Sequence, residues 1–109
     1  MERDEIPPGT LYLLILKTLA RHGELHGFEI ADSIQHTTEN VLQVEEGSLY
    51  PALQRILLKG WAAAEWGTTA ANRRARYYKI TAAGRKQLAR EITQFNRVIG
   101  AIHRVIQPA

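Results

Sequence analysis

The chain has 109 residues, is 45% hydrophobic and 23% charged, and contains no cysteine. That is enough for one globular domain, and it excludes disulfides, thiol catalysis and Cys-based zinc sites. The net charge of +3 is unevenly spread: residues 1–54 carry three Lys/Arg against nine Asp/Glu, and residues 55–109 carry eleven against two. A one-signed C-terminal half suits a polyanionic partner.

The start, Met1-Glu2-Arg3-Asp4-Glu5, is acidic-leaning and lacks the positive n-region of a signal peptide. The longest apolar run, Leu11 to Leu16, is too short to span a bilayer. A cytoplasmic protein without a membrane partner is therefore expected. Pro7-Pro8-Gly9 is a stop signal, after which Thr10 can cap a first helix. Leu11, Leu14, Ile15 and Leu19 repeat at helical spacing, and Arg21-His22-Gly23 closes the segment. With Leu13 and Leu16 also apolar, this helix should be buried on more than one side.

A second helix is expected from about Gly27 to Thr37, capped by His26, with Phe28, Ile30, Ala31 and Ile34 as its inner face. A third starts near Gly47-Ser48. With Ser48 as N-cap, Pro51 falls at N3, where its missing N–H has no intrahelical duty. Leu49, Leu53, Ile56 and Leu57 form the inward stripe, and Gly60 stops the helix. Trp61 to Trp66 and Arg76 to Ile80 then read as the two strands of a hairpin, with Gly67 to Ala75 as a long polar loop. Alternation puts Tyr78 and Ile80 inside and Tyr77 and Lys79 outside, with the opposite register as the alternative. Trp61 and Trp66 are expected to seal the hairpin against the third helix; stacking of a planar ligand is the alternative.

Thr81 is a good N-cap for the last helix. Leu88, Ile92, Phe95, Ile99, Ile102 and Ile106 recur at steps of four and three, the repeat of a coiled-coil seam. Val98 and Val105 widen the stripe. A helix of about 26 residues spans roughly 39 Å at 1.5 Å per residue. So small a domain cannot cover such a stripe alone, which predicts a dimerisation arm; a long helix folded back on its own domain is the alternative. The expected fold class is mainly α (α+β): a winged helix-turn-helix with a two-stranded wing and a long C-terminal dimerisation helix. Residues 1–80 are expected to form a winged helix-turn-helix DNA-binding domain and residues 81–109 the dimerisation helix, as one compact unit.

The outer face of the third helix carries Ser48, Pro51, Gln54, Arg55 and Lys59, with Tyr50 on its flank. Gln can bond adenine and Arg can fork onto guanine, so Gln54 and Arg55 suit base edges. The hydroxyls of Ser48 and Tyr50 suit phosphates near a helix start. Arg73 and Arg74 in the loop, with Arg76 and Lys79, are the densest cationic cluster and fit phosphates or a minor groove. His22 and His26 are four apart, but Gly23 interrupts the helix that would align them, so no metal site is expected. Ser48 lacks the setting of a hydrolase elbow, and no Gly-rich phosphate loop follows a strand. Neither an enzyme nor a cofactor is expected.

These residues resemble the PadR family of bacterial transcriptional regulators, in its short form with one C-terminal helix. The resemblance covers about residues 9–107. It rests on Gly9-Thr10-Leu11, His26-Gly27-Phe28-Glu29-Ile30, Gly47-Ser48-Leu49-Tyr50-Pro51-Ala52-Leu53, Lys59-Gly60, and Arg73 through Thr81 with Gly84. It implies a homodimeric repressor of an inverted-repeat operator, dimerised by its last helix, with small-molecule release in some members. Carried onto this chain, DNA contact falls on Ser48, Tyr50, Pro51, Arg55, Lys59 and the wing arginines. The sequence departs from the pattern at Phe28, where a tyrosine is common, and at Leu57-Leu58, which replaces a polar pair. Phe95 is the only aromatic of the last helix, where drug-binding relatives place a tryptophan. A small-molecule sensor and a protein-interaction module on the same scaffold are the alternative functions.

Overall fold

A computed structural model describes Ile6 and residues 9–108. The acidic start and the Pro7-Pro8 stop signal lie outside the described residues. The order of elements is α1 (Leu11–His22), β1 (Leu25–His26), α2 (Gly27–Thr37), α3 (Glu46–Leu58), β2 (Ala62–Thr68), β3 (Arg74–Ile80) and α4 (Ala82–Ile106).

Helix α1 is the central element and touches α2, α3, β3 and α4. That follows from its apolar residues almost all round, broken by exposed Lys17 and Arg21, and Ile15, Leu16 and Leu19 are fully buried. It ends at Gly23, whose φ of 84° is left-handed and whose N–H donates to the Leu19 carbonyl at 2.9 Å. Helix α2 begins with a capping box built on His26: its Nδ1 accepts from the Glu29 N–H at 3.4 Å, while Glu29 Oε1 accepts from the His26 N–H at 3.0 Å. Its buried residues are Gly27, Ile30 and Ile34. Phe28, expected on the inner face, is instead 70% exposed. At about 100° per residue it stands roughly 200° around the helix from Ile30.

Helix α3 starts earlier than expected, at Glu46, with Glu45 as N-cap. Ser48 is therefore a first-turn residue, and Pro51 lies beyond the first turn. The carbonyl that loses its helical donor to Pro51 belongs to Gly47, an exposed residue that water can serve. Leu49, Ala52, Leu53 and Ile56 face the core.

The sheet has three antiparallel strands in the order β1-β3-β2, one more than expected. β1 pairs Leu25 with Tyr78 and His26 with Tyr77; two residues leave no periodicity to read. The β2–β3 ladder runs from Ala62↔Ile80 to Thr68↔Arg74. The expected long loop is thus a short connection over residues 69–73. Ladder bonds come from backbone, so the polar stretch after Trp66 pairs as well as an apolar one would. Asn72, at φ 60°, supplies the left-handed residue of the turn, and the Thr69 N–H donates to the Arg73 carbonyl at 2.8 Å. Tyr78 and Ile80 point inward, as alternation requires.

Thr81 locks α4 to this sheet. Its hydroxyl donates to the Gly60 carbonyl at 2.6 Å and accepts from the Gly84 N–H at 3.0 Å. Gly84 is buried, and a Cβ there would collide with the Trp61 carbonyl oxygen. Leu88 packs into the core and Ile92 lies against it. Beyond them α4 runs out of the domain, giving the molecule extents of 57 × 36 × 22 Å.

Candidate DNA-binding face

Every residue assigned to the outer face of α3 is exposed: Ser48, Tyr50, Pro51, Gln54, Arg55 and Lys59. They do not form one flat surface. With Leu49, Ala52, Leu53 and Ile56 buried, the crest opposite them carries Pro51, Gln54 and Leu58. Leu58 is 76% exposed, as its outward position predicts. Ser48, Arg55 and Lys59 occupy one flank and Tyr50 the other.

The Ser48 flank leans on α1. Arg55 Nε donates to the Tyr12 hydroxyl at 2.6 Å, and its guanidinium carbon lies 6.0 Å from the Tyr12 ring centroid. Tyr12 meets Trp61 edge-on at 6.0 Å, and Lys59 Nζ sits 5.2 Å from the Trp61 ring. Trp61 is half-buried and seals the start of β2 as expected. Tyr12 was not legible as a partner of Arg55, because the two are far apart in sequence and only helix packing joins them.

The Tyr50 flank faces the hairpin. Tyr50 is half exposed and closes over Gly27, where a Cβ would come within 2.9 Å of its ring. Between Tyr50, the start of α2 and the hairpin lies an open groove of about 940 Å³. Phe28, Trp66 and Tyr77 line it, Arg73, Arg74 and Arg76 supply its positive charge, and its one acid, Glu29, is engaged by the His26 N–H. Arg73 belongs to the turn and Arg76 to the strand, as expected, while Arg74, expected in the loop, is the first residue of β3. Trp66 is not part of the core: it is 60% exposed, with Arg74 and Arg76 stacked against it at 4.5 and 5.9 Å. The strand register decides this, since Trp66 sits directly across from Arg76 beyond the last core pair.

At the inner end of the groove, burial raises the pKa of the Tyr78 phenol, offset by Arg76 and reinforced by Tyr50. Among the described residues no charged side chain is buried, and no group of His, Asp or Glu is placed to hold a metal ion. The face offers cations, hydroxyls and aromatic rings for binding. Among the described residues no helix is long and apolar enough to cross a membrane.

The seam residues divide along α4. Leu88 is buried and Ile92 and Ile99 are partly covered, while Phe95, Ile102 and Ile106 are 37%, 48% and 67% exposed. Val98 and Val105 lie open beside them.

The chain is 30% identical over 98 residues to an uncharacterized protein of Lysinibacillus sphaericus, covering 90% of this chain and 89% of that one. A transcriptional regulator from Clostridium thermocellum has the same fold, with TM-score 0.83 and 25% identity over 91% of this chain and 95% of that chain. A putative transcriptional regulator from Thermoplasma acidophilum gives TM-score 0.70 and 28% identity over 92% and 95%. The signature of the transcriptional regulator PadR-like family matches residues 15–90. On that match, the winged helix and its cationic groove, the chain belongs to the PadR-like family and is a DNA-binding transcriptional regulator, not an enzyme.

Proposed function

We propose that the protein is a homodimeric repressor that binds an inverted-repeat operator. The observation that carries this reading is the joining, in one small domain, of an exposed α3 face and cationic hairpin with an uncovered apolar stripe on α4. The stripe joins two copies through Leu88, Ile92, Phe95, Ile99, Ile102 and Ile106. Two α3 helices then enter successive major grooves about 34–36 Å apart. Gln54 reads base edges from the crest. Ser48, Tyr50, Pro51, Arg55 and Lys59 contact the backbone or neighbouring bases from the flanks. Arg73, Arg74 and Arg76 clamp the adjoining phosphates. A small-molecule effector releases the operator by preferring one angle between protomers.

The test is selection of random duplex DNA by the purified protein, with binding repeated across salt. The expected product is an inverted repeat bound with a steep salt slope, on which the protein lowers transcription from an overlapping promoter. Enrichment of a single half-site by a monomer, or raised transcription, would overturn the repressor reading. No salt-dependent DNA binding at all would favour a sensor or interaction module.

A further inference from the structure

One face of the hairpin changes character along its length. Near α1 and α3 it holds Ala62, Ile80 and Tyr78, all buried. Past the edge of the core the same face holds Trp66, Arg76 and Arg74. Arg76 is the direct cross-strand partner of Trp66, and Arg74 is its diagonal neighbour. Their guanidinium carbons lie 5.9 and 4.5 Å from the indole centroid, both within cation–π reach. Arg73 lies in the turn, outside this alternation.

We propose that Trp66 is a positioning residue for DNA contact, holding Arg74 and Arg76 over the groove that faces Tyr50 and Phe28. The proposal rests on the DNA-binding reading and names how the hairpin meets the backbone. An arginine has many rotamers, and binding must freeze them; one stacked in advance loses less on contact. An acidic neighbour could also order these side chains, but it would compete with phosphate for the same charge. An indole face orders them and leaves the charge intact. Glu65, the acid next to Trp66 in sequence, stands on the opposite face across from Tyr77. Arg74 and Arg76 therefore outweigh Arg73, although all three are arginines of one hairpin.

The experiment is a titration of the full-length protein, by anisotropy, with the duplex that it selects. The chains are wild type, Trp66→Phe, Trp66→Leu, Trp66→Ala, Arg73→Ala, Arg74→Ala and Trp66→Ala/Arg74→Ala. Phenylalanine keeps an aromatic face, and leucine keeps only apolar bulk. Trp66→Phe should bind within about 2-fold of wild type, while Trp66→Leu and Trp66→Ala should bind about 3- to 10-fold more weakly. Their salt slope should stay unchanged, because no phosphate contact is removed. Arg74→Ala should cost more than Arg73→Ala, and less in the Trp66→Ala background than in wild type. Leucine binding as tightly as phenylalanine, or additive Trp66 and Arg74 losses, would overturn the proposal. Should Trp66→Ala fail to fold, the phenylalanine–leucine comparison decides alone. A wild-type protein that binds no duplex would instead overturn the DNA reading itself.

Discussion

The hairpin and α4 both start inside the core and run out of it, and their outgoing stretches have opposite chemistry. The hairpin leaves the core at Tyr78 and continues with Trp66, Arg76 and Arg74. Helix α4 leaves it at Leu88 and continues with Phe95, Val98, Ile102, Val105 and Ile106. A cationic overhang stays soluble unaided and attracts phosphates. An apolar overhang of this length is stable in water only when something covers it. The contrast fits the partners proposed above, DNA for the hairpin and a second copy of the chain for α4.

Ile102→Glu should break the α4 side of this comparison most severely. Ile102 is half exposed, so a charge there leaves the single domain intact and acts on association. Light scattering should show a monomer, and operator affinity should fall by about 100-fold or more through lost bivalency. A variant that stays dimeric would place the seam elsewhere. Gly84→Ala attacks the joint from which α4 departs. The new methyl meets the Trp61 carbonyl and Ile80, and backbone there cannot give way as a flexible side chain would. A loss of about 3 kcal/mol in urea unfolding is expected, at the upper end for overpacking. An unchanged midpoint would mean that α4 is not seated on the α3–β2 turn.

On the hairpin side, Arg74→Ala with Arg76→Ala should leave the dimer intact and flatten the log–log salt slope by about 2 per protomer. A slope equal to wild type would remove the hairpin from the interface. The smallest effect concerns Tyr78, whose phenol burial pushes above its ordinary 10.0. The folded phenol holds its proton more tightly than the unfolded one. Its contribution is complete below the ordinary pKa and is lost as pH rises through the folded one. Tyr78→Phe should therefore flatten the alkaline decline in stability, read as the change in urea midpoint between about pH 8 and about pH 10.5. Equal declines in both proteins would show that the phenol ionises freely in the native state.

Signals confined to a few residues were readable from the chain. Gly23, the His26 cap, the Thr81 cap and the Tyr78/Ile80 alternation report backbone geometry set by immediate neighbours, and each lies where its signal pointed. The family resemblance was readable for the same reason, since its runs are contiguous. The start of α3 differs from the expected one because its N-cap, Glu45, makes no side-chain capping hydrogen bond, so no local capping signal marks it. Hydrophobicity also misplaced Phe28 and Trp66 inside the fold. Neither residue type nor local spacing reveals where a core ends.

Contacts between distant segments settled the rest. β1 exists because α1 ends beside β3, and no two-residue strand could announce itself. Arg55 is held by Tyr12 because α1 and α3 pack together, and Trp66 meets a second arginine, Arg74, because the ladder extends into the expected loop. Local sequence sets torsions and faces through sterics and hydrogen bonds over a few residues. Which faces meet, and which are left exposed, depends on packing all the elements at once.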